Sequence, residues 1–181
     1  MASAKGIFPY SKAFSLSILL CEWLLGGGQR GQVCGSIRRK CKLVGDIDMV
    51  VSGPMEVALS KIEFCSKSSR MAYALLSGNS GKKKSATFLL NGVQVNMYVA
   101  STEEWGAMIL FLTGSKLFNI VMRGKAKALG YKLNQYGLYH GVEVIAGRSE
   151  EQIFEAMGLE FIPPERRDIK GNDRVELKER R

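Results

Sequence analysis

Histidine is almost missing from this chain of 181 residues, where His140 stands alone. The four cysteines, Cys21, Cys34, Cys41 and Cys65, include no C-x-x-C pair. That spacing supports neither a zinc site nor a disulfide framework, so the thiols read as reduced groups of an intracellular protein. Long apolar runs are missing too. The most apolar stretch, AFSLSILLCEWLL from Ala13 to Leu25, contains Glu22, is too short to cross a bilayer and lacks a signal-peptide cleavage pattern. It is expected to be a buried helix stopped by Gly26-Gly27-Gly28. No membrane partner and no internal repeat are expected. Acidic residues are in deficit, 17 against 26 Lys and Arg, which gives a net charge of +9 and favours a polyanionic partner.

What is present describes a folded protein. Hydrophobic residues at 46% and charged ones at 24% exclude wholesale disorder, and the length suits one domain or two small subdomains. From Asp46 to Ser52 the residues alternate, with Asp46, Asp48 and Val50 on one face of a predicted strand and Ile47, Met49 and Val51 on the other. A helix is expected from near Pro54. ATFLL-NG-VQVNMYVA reads as a hairpin around Asn91-Gly92, a pair suited to a type I′ turn. Its second arm sets Val93, Val95, Met97 and Val99 on an apolar face and Gln94, Asn96 and Tyr98 on the polar one.

Beyond Ala100 the pattern turns helical. Ser101 or Thr102 with Glu104 forms a capping signal that is expected to open a short apolar helix through Leu112. Thr113-Gly114-Ser115 breaks it, and a second helix is predicted from Ser115 to about Leu129. On that helix Lys116, Asn119, Arg123 and Lys127 form one basic stripe, with Leu117, Ile120, Val121 and Ala128 expected toward the core. His140 and the tail after Pro164 read as surface. From Glu165 to Arg181 seven basic residues meet five acidic ones, a balance that suits solvation.

Two like charges held side by side repel unless a cation neutralises them, and hard carboxylate oxygens suit Mg²⁺. Just before them, Gly35-Ser36 offers backbone N–H and hydroxyl donors beside Arg38 and Arg39, groups fit to hold phosphate oxygens. Metal, phosphate and a basic groove together point to phosphoryl transfer.

GSIRRKCKLVGDID resembles the nucleotidyltransferase signature of family X DNA polymerases. The likeness continues through FLTGSKLFNIVMRGKAKALGYKLNQYGL and SEEQIFEAMGLEFIPPERR, which resemble the thumb of that family. The resemblance implies an α+β fold. A nucleotidyltransferase palm over residues 1–102, with a mixed or antiparallel sheet and helices on one face, precedes a mostly helical thumb with a small hairpin over 103–181. It implies a monomer that binds primer-template or gapped DNA and a dNTP, using two Mg²⁺ ions for which Mn²⁺ could substitute. Residue by residue, Asp46 and Asp48 match the metal-bridging carboxylates, and Gly35, Ser36 and Arg39 the groups at the triphosphate. Phe111, Leu112 and Gly114 match the segment flanking the sugar, where the family often has Tyr-Phe and a cis Gly-Ser bond. Lys116 falls near the nascent base, Asn119 at its minor-groove edge and Arg123 at the template. Asn134, Gln135 and Tyr136 match a supporting N-E-Y segment, and Lys127, Lys82, Lys83 and Lys84 are further DNA-binding candidates.

Seventeen residues before Thr113 the family places its third catalytic carboxylate, and this chain has Asn96. An amide has the shape of a carboxylate without the charge and cannot act as a base. The chain as written is expected to be catalytically disabled. The intact phosphate and nucleotide positions favour a single change that traps a complex over an inactive nucleic-acid-binding homologue. A template-independent nucleotidyltransferase is the other alternative, against which the template-contact position Arg123 argues. With 34 residues before Gly35, the resemblance leaves no room for the lyase domain of larger relatives.

Overall fold

A computed structural model of the chain describes residues 6–78, 84–169 and 177–180. It divides into two compact units, Met1–Ala100 and Ser101–Arg181.

The first unit opens with β1 (Phe8–Pro9) and α1 (Tyr10–Leu25), followed by β2 (Gly31–Val33) and α2 (Gly35–Arg38). β3 (Leu43–Val44), β4 (Ile47–Val51), α3 (Met55–Ser68), β5 (Tyr73–Ser77), β6 (Ser85–Leu90) and β7 (Val93–Val99) complete it. Five strands form one sheet in the order β2-β4-β7-β6-β5, in which only β4 and β7 run parallel. The alternation in sequence becomes a division of faces. Ile47, Met49, Val51, Phe88, Val93, Val95 and Met97 pack with Leu16, Leu20 and Leu24 of α1 and Met55, Ala58 and Ile62 of α3 into one buried core. α1 buries one stripe rather than all its faces, because Phe14, Ile18 and Leu25 remain exposed. Among the described residues no helix is long and apolar enough to cross a membrane.

Asn91 and Gly92 join β6 to β7 with φ of 48° and 77°, the left-handed pair that a type I′ turn requires. A two-residue turn fixes the register, which pairs Leu90 with Val93 and Thr87 with Asn96.

The second unit contains α4 (Trp105–Thr113), α5 (Lys116–Ala128), β8 (Lys132–Asn134), β9 (Gly137–His140), β10 (Glu143–Ala146) and α6 (Glu150–Ala156). Its strands form an antiparallel sheet in the order β10-β9-β8. Leu110, Phe118, Met122, Ala126, Leu138, Ile153 and Phe154 are buried together. Ser101 and Glu104 do form a reciprocal capping box, with each backbone N–H reaching the other's side chain. The box closes the turn before α4 instead of opening the helix, which starts at Trp105. On α5 the core face is Phe118, Met122 and Ala126, four residues apart, and Leu117 and Ile120 are exposed. Of the four residues expected toward the core, Leu117, Ile120 and Ala128 are exposed and Val121 is half-buried. Repeated contact with a core instead selects the row at four-residue spacing.

The tail differs from expectation as well. Arg167, inside the segment read as solvated, is fully buried. Its Nη1 donates to Glu150 Oε1 at 2.5 Å and its Nε to Ile162 O at 2.8 Å. The rings of Phe118, Phe154 and Phe161 surround the guanidinium at 5.2 to 5.5 Å.

Candidate active site

Parallel pairing of β4 with β7 sets Asp48 directly beside Asn96, and antiparallel pairing of β6 with β7 sets Thr87 on its other side. Because side chains alternate along a strand, Gln94 shares this face two residues earlier. Asp46 precedes β4 and reaches the same group. Asn96 Nδ2 donates to Asp46 Oδ2 at 3.1 Å and to Asp48 Oδ1 at 3.0 Å. Its carbonyl oxygen accepts from Gln94 Nε2 at 2.9 Å and from Thr87 Oγ1 at 3.4 Å. All five side chains are half-buried, which leaves the carboxylates open to solvent and to its screening.

Gly35 carries a second constraint. Its φ is +60°, and a Cβ there would collide with the Asp48 carboxylate. Only glycine allows the start of α2 to approach this closely. The backbone N–H of Cys34 donates to Asp48 O at 2.7 Å, which joins the segment to β4. Gly35-Ser36 is thus the first turn of a short helix. Arg39 caps that helix, its N–H donating to Gly35 O.

Among the described residues no group of three or more His, Cys, Asp or Glu side chains comes together to hold a metal. The donors for a hard cation at this face are Asp46 and Asp48. They fit one: two adjacent anionic oxygens require neutralisation, and here the Asn96 amide supplies it in part.

In the second unit, a pocket is lined by Phe111, Asn119, Arg123 and Asn134 with Ala107, Leu110 and Leu133. Asn119 Nδ2 donates to Phe111 O at 2.7 Å, and Arg123 Nε donates to Asn119 O at 3.2 Å. Asn134 Oδ1 accepts from the N–H groups of Tyr136 and Gly137, which fixes the turn into β9. The Gly114–Ser115 peptide bond is cis. Lys116 and Lys127 are exposed on α5, Gly114 is buried, and Leu112 and Tyr136 do not line the pocket. Lys82 and Lys83 lie outside the described residues; Lys84 is exposed beside β6. His140 is exposed and meets the Tyr131 ring edge-on. Gln94 and Thr87 are the residues of the first-unit site that the sequence reading did not select. Thr87 could have been found by counting back from the hairpin turn.

The family model of the DNA polymerase beta thumb matches residues 108–168. Repair DNA polymerase X of African swine fever virus, from the Warthog/Namibia isolate, is 25% identical over 138 residues, 74% of this chain and 78% of the relative. DNA polymerase/3'-5' exonuclease PolX of Bacillus subtilis is 30% identical over 74% of this chain and 23% of its own length. Human DNA-directed DNA/RNA polymerase mu is 38% identical over 42% of this chain and 16% of its own. The polymerase beta of Leishmania infantum, solved as a ternary gap complex, shares the fold with a TM-score of 0.75 at 22% identity, over 91% of this chain and 71% of that one. The matched thumb model, the relatives that span most of the chain and the shared fold all make the chain similar to the family X DNA polymerases.

Proposed function

We propose that the chain is built as a template-directed DNA polymerase of short-gap repair, adding a dNTP to a primer 3′ end with release of pyrophosphate, and that as written it binds its substrates but is disabled for chemistry. The observation that carries this reading is the meeting of Asp46, Asp48 and Asn96 on one sheet face, with a neutral amide where the resemblance places the third carboxylate.

Asp46 and Asp48 would hold Mg²⁺, with Mn²⁺ as a substitute. When bound, such an ion polarises phosphoryl oxygen and lowers the pKa of a coordinated hydroxyl. Ser36 and Arg39 serve the triphosphate, a hydroxyl donor and a forked cation suited to its oxygens. Asn119 presents a donor and an acceptor to the incoming base's minor-groove edge, and its hydrogen bond to Phe111 O orients it. Arg123 and Lys127 meet the DNA backbone, and Lys84 adds to the basic surface. Asn96 cannot accept the primer hydroxyl's proton. Loss of a general base alone lowers the rate about 10²- to 10⁴-fold.

The test uses the chain as written, because it does not consume its substrates. Gapped DNA with each of the four template bases is titrated with each dNTP and Mg²⁺, and retention of the DNA complex is read in a mobility-shift assay. Stabilisation by the complementary dNTP alone is the expected result. Equal stabilisation by all four, whatever the template base, would favour the template-independent alternative.

A further inference from the structure

Resting on that reading of the carboxylate face, we propose that Gln94 and Thr87 are positioning residues that lock Asn96 as a hydrogen-bond donor and thereby limit the Asp46/Asp48 pair to a single divalent cation.

The argument starts from the two unlike ends of an amide. An ionised carboxylate only accepts hydrogen bonds, so the end of Asn96 that faces two of them is the NH₂ group. Its two hydrogens serve one carboxylate each, at 3.1 and 3.0 Å. The carbonyl oxygen therefore points away, and donors meet it there: Gln94 Nε2 at 2.9 Å and Thr87 Oγ1 at 3.4 Å. The strands enforce this placement, since Thr87 is the cross-strand partner of Asn96 and Gln94 stands two residues before it on the same face. For Asn96 to offer its carbonyl to a cation on the aspartates, the amide must make a half-turn. That breaks the bonds on both sides and aims NH₂ at Gln94 Nε2, unless Gln94 rotates in concert, while the Thr87 hydroxyl must turn from donor to acceptor. Position 96 thus acts as a partial positive charge beside the pair, which competes with a cation where a carboxylate would recruit one.

The test counts ions and is independent of polymerase activity. Mn²⁺ is titrated into the full chain without DNA or nucleotide, and free Mn²⁺ is followed by electron paramagnetic resonance. The unsubstituted chain is expected to bind one Mn²⁺ at the carboxylate face and Asn96→Asp to bind two, with Asp46→Asn as the control that removes the site. Gln94→Leu removes one side of the lock while adding no charge, so Mn²⁺ should bind about fivefold tighter, the change that one ordinary hydrogen bond corresponds to. Thr87→Val, isosteric in shape, should act in the same direction and covers the case in which Gln94→Leu does not fold. Two ions in the unsubstituted chain, or unchanged Mn²⁺ affinity in the folded Gln94 and Thr87 variants, would overturn the lock alone. No Mn²⁺ binding by any variant, Asn96→Asp included, would overturn the carboxylate-site reading together with it.

Discussion

Replacing Asn96 with Asp adds a third carboxylate at the point where Asn96 Nδ2 now lies 3.1 Å from Asp46 and 3.0 Å from Asp48. Without metal, each new pair of like charges at that separation repels by about 1.4 kcal/mol at the dielectric constant of water and about 5 kcal/mol at an effective value near 20. The side chains are half-buried, so solvent screens the pairs toward the lower figure, about 3 kcal/mol in all. Loss of the two amide donors to charged oxygens adds roughly 1 kcal/mol or more. Proton uptake by one carboxyl limits the total, leaving a destabilisation of about 3 kcal/mol for the metal-free form. In a unit of about 100 residues each kcal/mol is worth about 4–8 °C, so Asn96→Asp should melt at least about 10 °C lower in EDTA. Mg²⁺ at about a hundred times its dissociation constant returns about 2.7 kcal/mol. The assay is a thermal melt of both proteins, followed by circular dichroism, in EDTA and in a Mg²⁺ series. The unsubstituted chain should respond weakly to Mg²⁺ and the Asp variant strongly. An Asp variant that melts within about 2 °C of its parent in EDTA, with no greater response to Mg²⁺, would refute the placement of these three side chains.

Further outcomes follow from other contacts. Glu150→Ala leaves the guanidinium of Arg167 buried without its carboxylate and should cost about 3–5 kcal/mol in urea unfolding, whereas the double change Glu150→Leu with Arg167→Met should recover most of it. Gly35→Ala forces a Cβ into the Asp48 carboxylate at positive φ. It should lower stability by more than about 1 kcal/mol and weaken Mn²⁺ binding, both measurable on one preparation. Burial, with Glu22 adding to it, raises the Cys21 thiol above its ordinary value of 9.0. Because the folded value is the higher one, its contribution to stability is complete below pH 9 and is lost as pH rises through the raised value. A melting series from pH 8 to 11 should therefore fall less steeply for Cys21→Ser.

The parts of this fold that could be read from the sequence are those set by neighbours along the chain. Alternation over Asp46–Ser52 and Val93–Val99 placed the carboxylates and Asn96 on polar faces, and Asn91-Gly92 fixed the turn and thus the pairing of Thr87 with Asn96. The parallel pairing that puts Asp48 beside Asn96 joins segments 48 residues apart. No local period specifies such a pairing, and the family resemblance supplied only the grouping of position 96 with the two carboxylates. The direction of the Asn96 amide depends on groups from three strand segments, which only the tertiary pairing brings together. Arg167 was misread for a related reason. Its neighbours in sequence are charged and Pro-rich, but its environment is three phenylalanines and a glutamate from other elements. On α5, composition identified the basic stripe correctly but not the core row, because exposed Leu117 and Ile120 look as apolar as buried Phe118 and Met122.

Under the proposed function, one neutral side chain separates this protein from polymerase chemistry. Single-turnover primer extension on a gapped duplex, with Mg²⁺ and each dNTP in turn, compares the chain as written with Asn96→Asp. The account predicts that the Asp variant inserts the complementary nucleotide at least about 10²-fold faster than its parent. Equal rates in the two proteins, or no extension by an Asp variant that folds and binds both Mn²⁺ and DNA, would contradict it.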